Sequence, residues 1–377
     1  MSQVALQGSL KGVADPRLDE VVAELERQLR LDPDLSFQLA AYWRGELVLD
    51  AWGGPHLGHD SLTVPYSVSK NTIGVSIGLL VERGLLDLDA TVASYWPEFA
   101  AAGKAVVTVR QLLSHQAGLP EAVPRLRWDE LLDHHRAAER LAATRPLWYP
   151  GSAFGYHAIT IGNLASELVF RVTGQTLHEF YESEIRRPLD ADFYLGLPAG
   201  MEGRLVQLLP MIPPLGEYPD RPVHATGPWV FGSRPGPQVD LGLDEQSWRF
   251  GHPAASSTAS ALGVATVLAG AVTGIGGSAP LLGSDTVATI GQQQVRGYDE
   301  VLDQHDRAHA IVFQKQSKQL AWGGPHSFGH DGAMGAVGCV DPDTGVAVGY
   351  TIARGPWPGG ADPRAVRAAR RIGELLG

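Results

Sequence analysis

Apolar positions at Leu18, Val21, Val22, Leu25 and Leu29 recur at helical spacing, so residues 15–31 read as an amphipathic helix. The period then changes. Residues 36–42 and 46–52 are apolar or β-prone runs around Arg44-Gly45, which predicts a tight β-hairpin ended by Gly53-Gly54-Pro55. Residues 72–83 are nearly all apolar or small, with Ile73, Ile77 and Leu80 on one stripe and Gly74 and Gly78 four apart. This pattern predicts a buried helix in close contact with a neighbour, ended at Gly84. In the segment 108–119, Thr108 reads as an N-cap and Gly118 as a C-cap. Helical spacing returns over 128–140 and 160–173, on either side of a turn-rich, aromatic loop at 149–157. Residues 195–255 are rich in proline and glycine around Trp229, Phe231 and Trp248. A structureless linker of that length is unusual inside a domain, so short elements forming a wall or lid over a site are expected. Ser257-Thr258 is then expected to cap a helix to about Gly270.

Strand character returns over 308–314, 336–340 and 346–352, and a helix closes the chain from 363 to 376. Strands at both ends and helices between them predict an α/β (α+β) fold: one sheet built from both termini with a helical region inserted. The expected division is residues 1–85 with 255–377 as the sheet domain and 86–254 as the helical one.

Composition changes this picture little. A chain of 377 residues with 44% hydrophobic and 19% charged residues can bury a large core. The net charge of −11 argues against nucleic acid as a partner, and the one arginine-rich run, 364–371, reads as the polar face of the last helix. No apolar run approaches the ~18 residues of a membrane span, and the N-terminal residues lack a charged region followed by an apolar one. No membrane partner and a cytoplasmic location are the expectation. Cys339 lies in an apolar run and reads as a buried, inert thiol.

The chemistry gathers at Pro65-Tyr66-Ser67-Val68-Ser69-Lys70. If helix begins near Pro65, Ser67 and Lys70 sit at i and i+3, with Cβ atoms roughly 5–6 Å apart. A hydroxyl then lies beside an amine able to take its proton, near the positive end of a helix. Ser-x-x-Lys alone is a weak signal. His56, His59 and Asp60, and Asp133-His134-His135, lack a recognised zinc spacing and read as surface histidines; no metal or cofactor is expected.

Context strengthens the signal. Ser67-Val68-Ser69-Lys70, Tyr156 within 148–156, and Gly329-His330-Asp331-Gly332-Ala333 together resemble the serine β-lactamase and penicillin-binding-protein superfamily. Segments 108–119 and 251–262 are similar to further stretches of that family, and the likeness runs over about residues 15–375. The resemblance implies a β-lactamase/transpeptidase-like fold, an antiparallel sheet from both termini flanked by helices plus a mainly helical inserted lobe, with Ser67 as acylated nucleophile, Lys70 as the group that helps deprotonate it and Tyr156 as a proton relay. It implies that His330, Asp331 and Gly332 form an inner edge strand against substrate, with Gly332 letting substrate approach the backbone. The N–H groups of Ser67 and Ala333 would form the oxyanion hole. A coupled Lys70–Tyr156 pair titrating below the usual values is expected to serve as base.

The departures bear on substrate. Ala158 stands where β-lactamases have asparagine, His330 replaces lysine, and Glu121 lies where class C enzymes carry glutamine. Groups that hold a β-lactam are missing or weakened, so the likeness is greatest to the family VIII carboxylesterases. The expected activity is hydrolysis of small-molecule, short-chain esters. A β-lactamase-related amidase, peptidase or transacylase, or a catalytically silent binding module, is the alternative. Oligomeric state is left open.

Overall fold

The structure is a computed structural model that describes residues 3–214 and 244–377. Four strands come from the N-terminal end: β1 (Val4–Gln7), β2 (Leu10–Ala14), β3 (Phe37–Trp43) and β4 (Glu46–Gly53). Two short strands, β5 (Phe193–Tyr194) and β6 (Thr258–Ala259), pair with each other. The C-terminal part supplies β7 (Val295–Asp299), β8 (Gln304–His309), β9 (Gln314–Lys315), β10 (Phe328–Asp331), β11 (Met334–Gly335), β12 (Val337–Asp341), β13 (Val346–Ile352) and β14 (Gly360–Ala361). Ten of them form one sheet in the order β1-β2-β4-β3-β13-β12-β10-β9-β8-β7, with antiparallel pairing throughout. β3 pairs with β13 across some three hundred residues of sequence, so the two ends of the chain close one sheet around the inserted helices.

Alternation along β3 sorts side chains to two cores. Phe37, Leu39 and Ala41 pack with the helices Asp19–Leu31 and Pro363–Leu376, whereas Ala40 and Tyr42 face the layer containing the helices Lys70–Glu82 and Ala261–Val272. A period of two in a sheet covered on both faces produces this division. The terminal helix turns its arginines outward: Arg371 pairs with Glu20 and Glu374, and Arg370 with Glu374. Cys339 is buried on β12, and burial pushes its thiol far above the usual value, as an inert thiol requires.

Several local expectations shift. The first helix starts as a turn, Pro16–Leu18, capped by Asp15, and continues as Asp19–Leu31. The hairpin turn is Arg44-Gly45, both with positive φ. Thr108 does cap a helix, Val109–Leu113, but that helix ends at Ser114, before Gly118. Gly118, at φ +71°, instead brings its backbone against Pro146 and Trp148. Ser260, not Ser257 or Thr258, caps Ala261–Val272, because Thr258 is taken into pairing with Tyr194. The run 308–314 is split, since Val312 has φ +67° and turns the chain between β8 and β9. Of the aromatic wall expected over 195–255, Trp229 and Phe231 lie outside the described residues, and Trp248 is buried in the core.

Candidate active site

Ser67 is delivered by a strained turn. Tyr66 is buried with φ +52°, a region side chains rarely adopt, and the turn Tyr66–Ser69 feeds directly into the helix Lys70–Glu82. That helix is buried along its first eleven residues, and Lys70 is 0% exposed. Ser69 locks the turn to the segment before the next helix, its Oγ lying 2.5 Å from Ser257 Oγ and accepting the Ser257 N–H at 3.2 Å.

The lysine has three partners. Its Nζ lies 2.7 Å from the carbonyl oxygen of Ala158, 2.7 Å from that of Ala254 and 3.1 Å from Ser67 Oγ. Burial drives its pKa well below the ordinary lysine value, opposed only by the negative charge of Asp331. A neutral amine has two hydrogens and one lone pair. The two carbonyls accept the hydrogens, which leaves the lone pair for the Ser67 hydroxyl.

Tyr156 completes the group from a loop without regular structure, its hydroxyl donating to Ser67 Oγ at 2.9 Å. The Lys70 nitrogen stands 4.9 Å from the centre of its ring. Burial pushes the phenol far above its usual pKa, against the hydrogen bond with Ser67. The expected lowering of the pair is therefore divided: burial disfavours charge on both, which lowers the lysine and raises the tyrosine.

His330 reaches the same group. Its Nδ1 lies 2.8 Å from the carbonyl oxygen of Asp331, which fixes the proton there and leaves Nε2 as an acceptor 3.4 Å from the Tyr156 hydroxyl. Burial pushes the ring's pKa well below the ordinary histidine value. Asp331 turns aside: its carboxylate accepts the N–H of Ala361, and its own N–H donates to Gln314. β9 pairs with β10 only at Phe328 and Gly329, so His330 and Asp331 run beyond that pairing, although β8 and β7 continue the sheet past β9.

Gly332 has a nearer reason than substrate for lacking a side chain. A Cβ there would lie 2.2 Å from the carbonyl oxygen of Pro65, two residues before Ser67. This contact holds the end of β10 against the serine turn. Among the described residues the N–H of Ala333 has no backbone acceptor, and the Ser67 N–H lies in the first turn of a helix, where N–H groups lack intrahelical acceptors.

Sequence reading missed the two carbonyls that hold Lys70. Ala158 is the third residue of the Tyr156-His157-Ala158 element, and it contributes its main chain where an asparagine would offer a side chain. The expected surface histidines find protein partners: His59 joins Asp50 and Asp60, His134 contacts His178 and His135 pairs with Glu167. Among the described residues no cluster of three or more His, Cys, Asp or Glu has the geometry to hold a metal, and no helix is long and apolar enough to cross a membrane.

Comparison with known proteins agrees with the geometry. Over its full length the chain is similar to EstA from Arthrobacter nitroguajacolicus Rue61a, with 38% identity, a TM-score of 0.90, and coverage of 100% of this chain and 99% of that one. The crystal structure of a family VIII carboxylesterase is 29% identical with a TM-score of 0.87, covering 97% and 98% of the two chains. The esterase/beta-lactamase LipL of Mycobacterium tuberculosis is 38% identical over 198 residues, 50% of this chain and 45% of that protein. The matched part thus spans about half the length of the curated relatives, EstB of Burkholderia gladioli included at 49%. The beta-lactamase family model matches residues 27–371, the stretch that carries Ser67, Lys70, Tyr156 and β10, and the chain belongs to that family.

Proposed function

We propose that this protein is a serine esterase that hydrolyses short-chain carboxylic esters through an acyl-enzyme on Ser67. The observation that carries the reading is the surroundings of Lys70 Nζ, two carbonyl oxygens at 2.7 Å and Ser67 Oγ at 3.1 Å: once the amine is neutral, with its two hydrogens on the carbonyls, its lone pair is left for the serine proton. Ser67 passes its proton to Nζ as Oγ attacks the ester carbon, and the carbonyl oxygen takes up negative charge against the N–H groups of Ser67 and Ala333. Collapse breaks the bond to the alkoxide, which leaves with the Tyr156 proton; the proton held by Lys70 restores the phenol. Water then attacks the acyl-enzyme by the same proton transfers in reverse, freeing the acid. His330 accepts from the phenol when its proton is not on Ser67, and the segment His330–Gly332 lines the acyl side of the site.

Esters are favoured over β-lactams on two grounds. Ala158 and His330 present neither the side-chain amide nor the ammonium that would hold a lactam. The full-length relative and the family VIII structure are named as an Est protein and a carboxylesterase. Ser67→Ala should abolish turnover of a p-nitrophenyl ester, and a fluorophosphonate should label Ser67 of the folded wild-type protein. Retained turnover in the alanine variant would sink the assignment.

A further inference from the structure

We infer that Asp299 is a positioning residue for the Tyr156 phenol, an assignment that rests on Tyr156 protonating the leaving alcohol. Tyr156 lies in no strand or helix, so no ladder fixes its main chain. Its N–H donates instead to both carboxylate oxygens of Asp299, at 3.0 and 3.1 Å. Asp299 ends strand β7, is 0% exposed and also accepts the N–H groups of Val301 at 2.9 Å and Leu302 at 2.8 Å. The intervening Glu300 N–H donates to the Phe154 carbonyl at 3.1 Å. One buried carboxylate therefore clasps the Tyr156 loop to the far end of the sheet.

A neutral acceptor would serve this junction poorly. Three N–H groups, two of them buried, converge on the site, and a carboxylate has enough lone pairs to accept all of them. Burial pushes the Asp299 carboxyl up, but His309 and these donors outweigh it, so the group is held ionised below its ordinary value. His309 adds lateral support, its ring stacked on that of Tyr156 at 5.9 Å and 14°, with Nε2 3.8 Å from Asp299. His115 packs edge-on against Tyr156 at 5.2 Å and against His309 at 4.6 Å, so the two histidines support the same side of the ring. The hydroxyl is at the opposite end of the side chain from the clasped N–H, so a small tilt of the backbone displaces it further, and a misplacement of ~1 Å can cost ~10²-fold in rate.

The test uses leaving groups of different basicity. Nitrophenoxide departs without a proton, whereas an alkoxide requires one, so loss of a correctly placed phenol is felt mainly on alkyl esters. Asp299→Asn and Asp299→Ser are compared with Tyr156→Phe on p-nitrophenyl acetate and ethyl acetate, with folding checked by circular dichroism. In the Asp299 variants and in Tyr156→Phe, kcat on ethyl acetate should fall at least about tenfold more than on p-nitrophenyl acetate, with KM nearly unchanged. Adding Asp299→Asn to Tyr156→Phe should not widen that ratio further. If only Tyr156→Phe shows the leaving-group effect, Asp299 serves stability and the inference fails while the function stands. Absence of the effect in Tyr156→Phe itself overturns the role of the tyrosine and this inference together. Should Asp299→Asn not fold, Asp299→Ser decides; loss of fold in both assigns Asp299 to stability and rejects the proposal.

Discussion

Lys70 and Ser67 stand 3.1 Å apart, nitrogen to oxygen, while both hydrogens of the neutral amine are already engaged by Ala158 and Ala254. Only the lone pair is left to meet the serine, so a protonated Lys70 cannot act as base. Activity should fall as pH drops through its lowered pKa and hold on the alkaline side. Lys70→Ala should lose about 10³-fold in kcat with p-nitrophenyl acetate, and pH–rate profiles of the wild type should show the acid limb far below the ordinary lysine range.

The same burial has a stability consequence of definite sign. The unfolded chain binds a proton at Lys70 up to about pH 10.4, whereas the folded chain gives it up much earlier, so stability rises with pH between the lowered and the ordinary value. Removing the lysine also strands two buried carbonyls, at about 1–3 kcal/mol each. Urea unfolding of Lys70→Ala should show these opposing effects: relief of the buried amine at neutral pH, and a net loss once pH approaches the ordinary lysine value.

Glu121 titrates in the opposite sense. It is 6% exposed, and burial raises its carboxyl from 4.5 to about 7, although Arg125 Nε lies 2.9 Å from Oε1 and pulls it down. The folded state then holds the proton more tightly than the unfolded one, so stability is lost as pH rises from 4.5 to about 7. Glu121→Gln keeps the shape and does not titrate. Its denaturation midpoint should match the wild type below that window and exceed it above; a lower midpoint at alkaline pH would show that the Arg125 pair outweighs burial.

Gly332→Ala should damage catalysis through the backbone. The new methyl would meet the Pro65 carbonyl at 2.2 Å, and neither strand β10 nor the serine turn has a flexible side chain to move aside. Separating them moves the Ala333 N–H away from Ser67, and losing one oxyanion donor costs about 3–4 kcal/mol in the barrier. Stopped-flow acylation should slow by about 10²-fold or more, while the ester's KM changes little.

Gly74→Ala tests packing alone. Alanine in a helix gains about 1 kcal/mol over glycine. Here its Cβ would sit 2.2 Å from the Phe313 ring, and overpacking of a buried site costs about 1–3 kcal/mol. The clash wins, so thermal denaturation should show a lower Tm, with kcat unaltered where the protein is folded.

Much of the site was legible because its signals are local. Ser67 and Lys70 share one helical turn, and Tyr156 lies in a recognisable loop, so spacing and context found all three. The acceptors of Lys70 could not be found that way, since every residue carries a carbonyl and only the fold aims those of Ala158 and Ala254. Asp299 was equally hidden. It is 143 residues from the tyrosine whose N–H it binds, in a strand with no motif.

Local patterning by itself determined the strands at both ends of the chain, the helices between them and the helix that starts at the Ser67 turn, because period and helix capping act over a few residues. Tertiary structure alone decided that β10 lies within the sheet, that Gly332 yields space to Pro65 and that Lys70 and Tyr156 diverge in acidity. Those properties depend on which distant groups exclude water and supply acceptors, and burial is a property of the assembled chain.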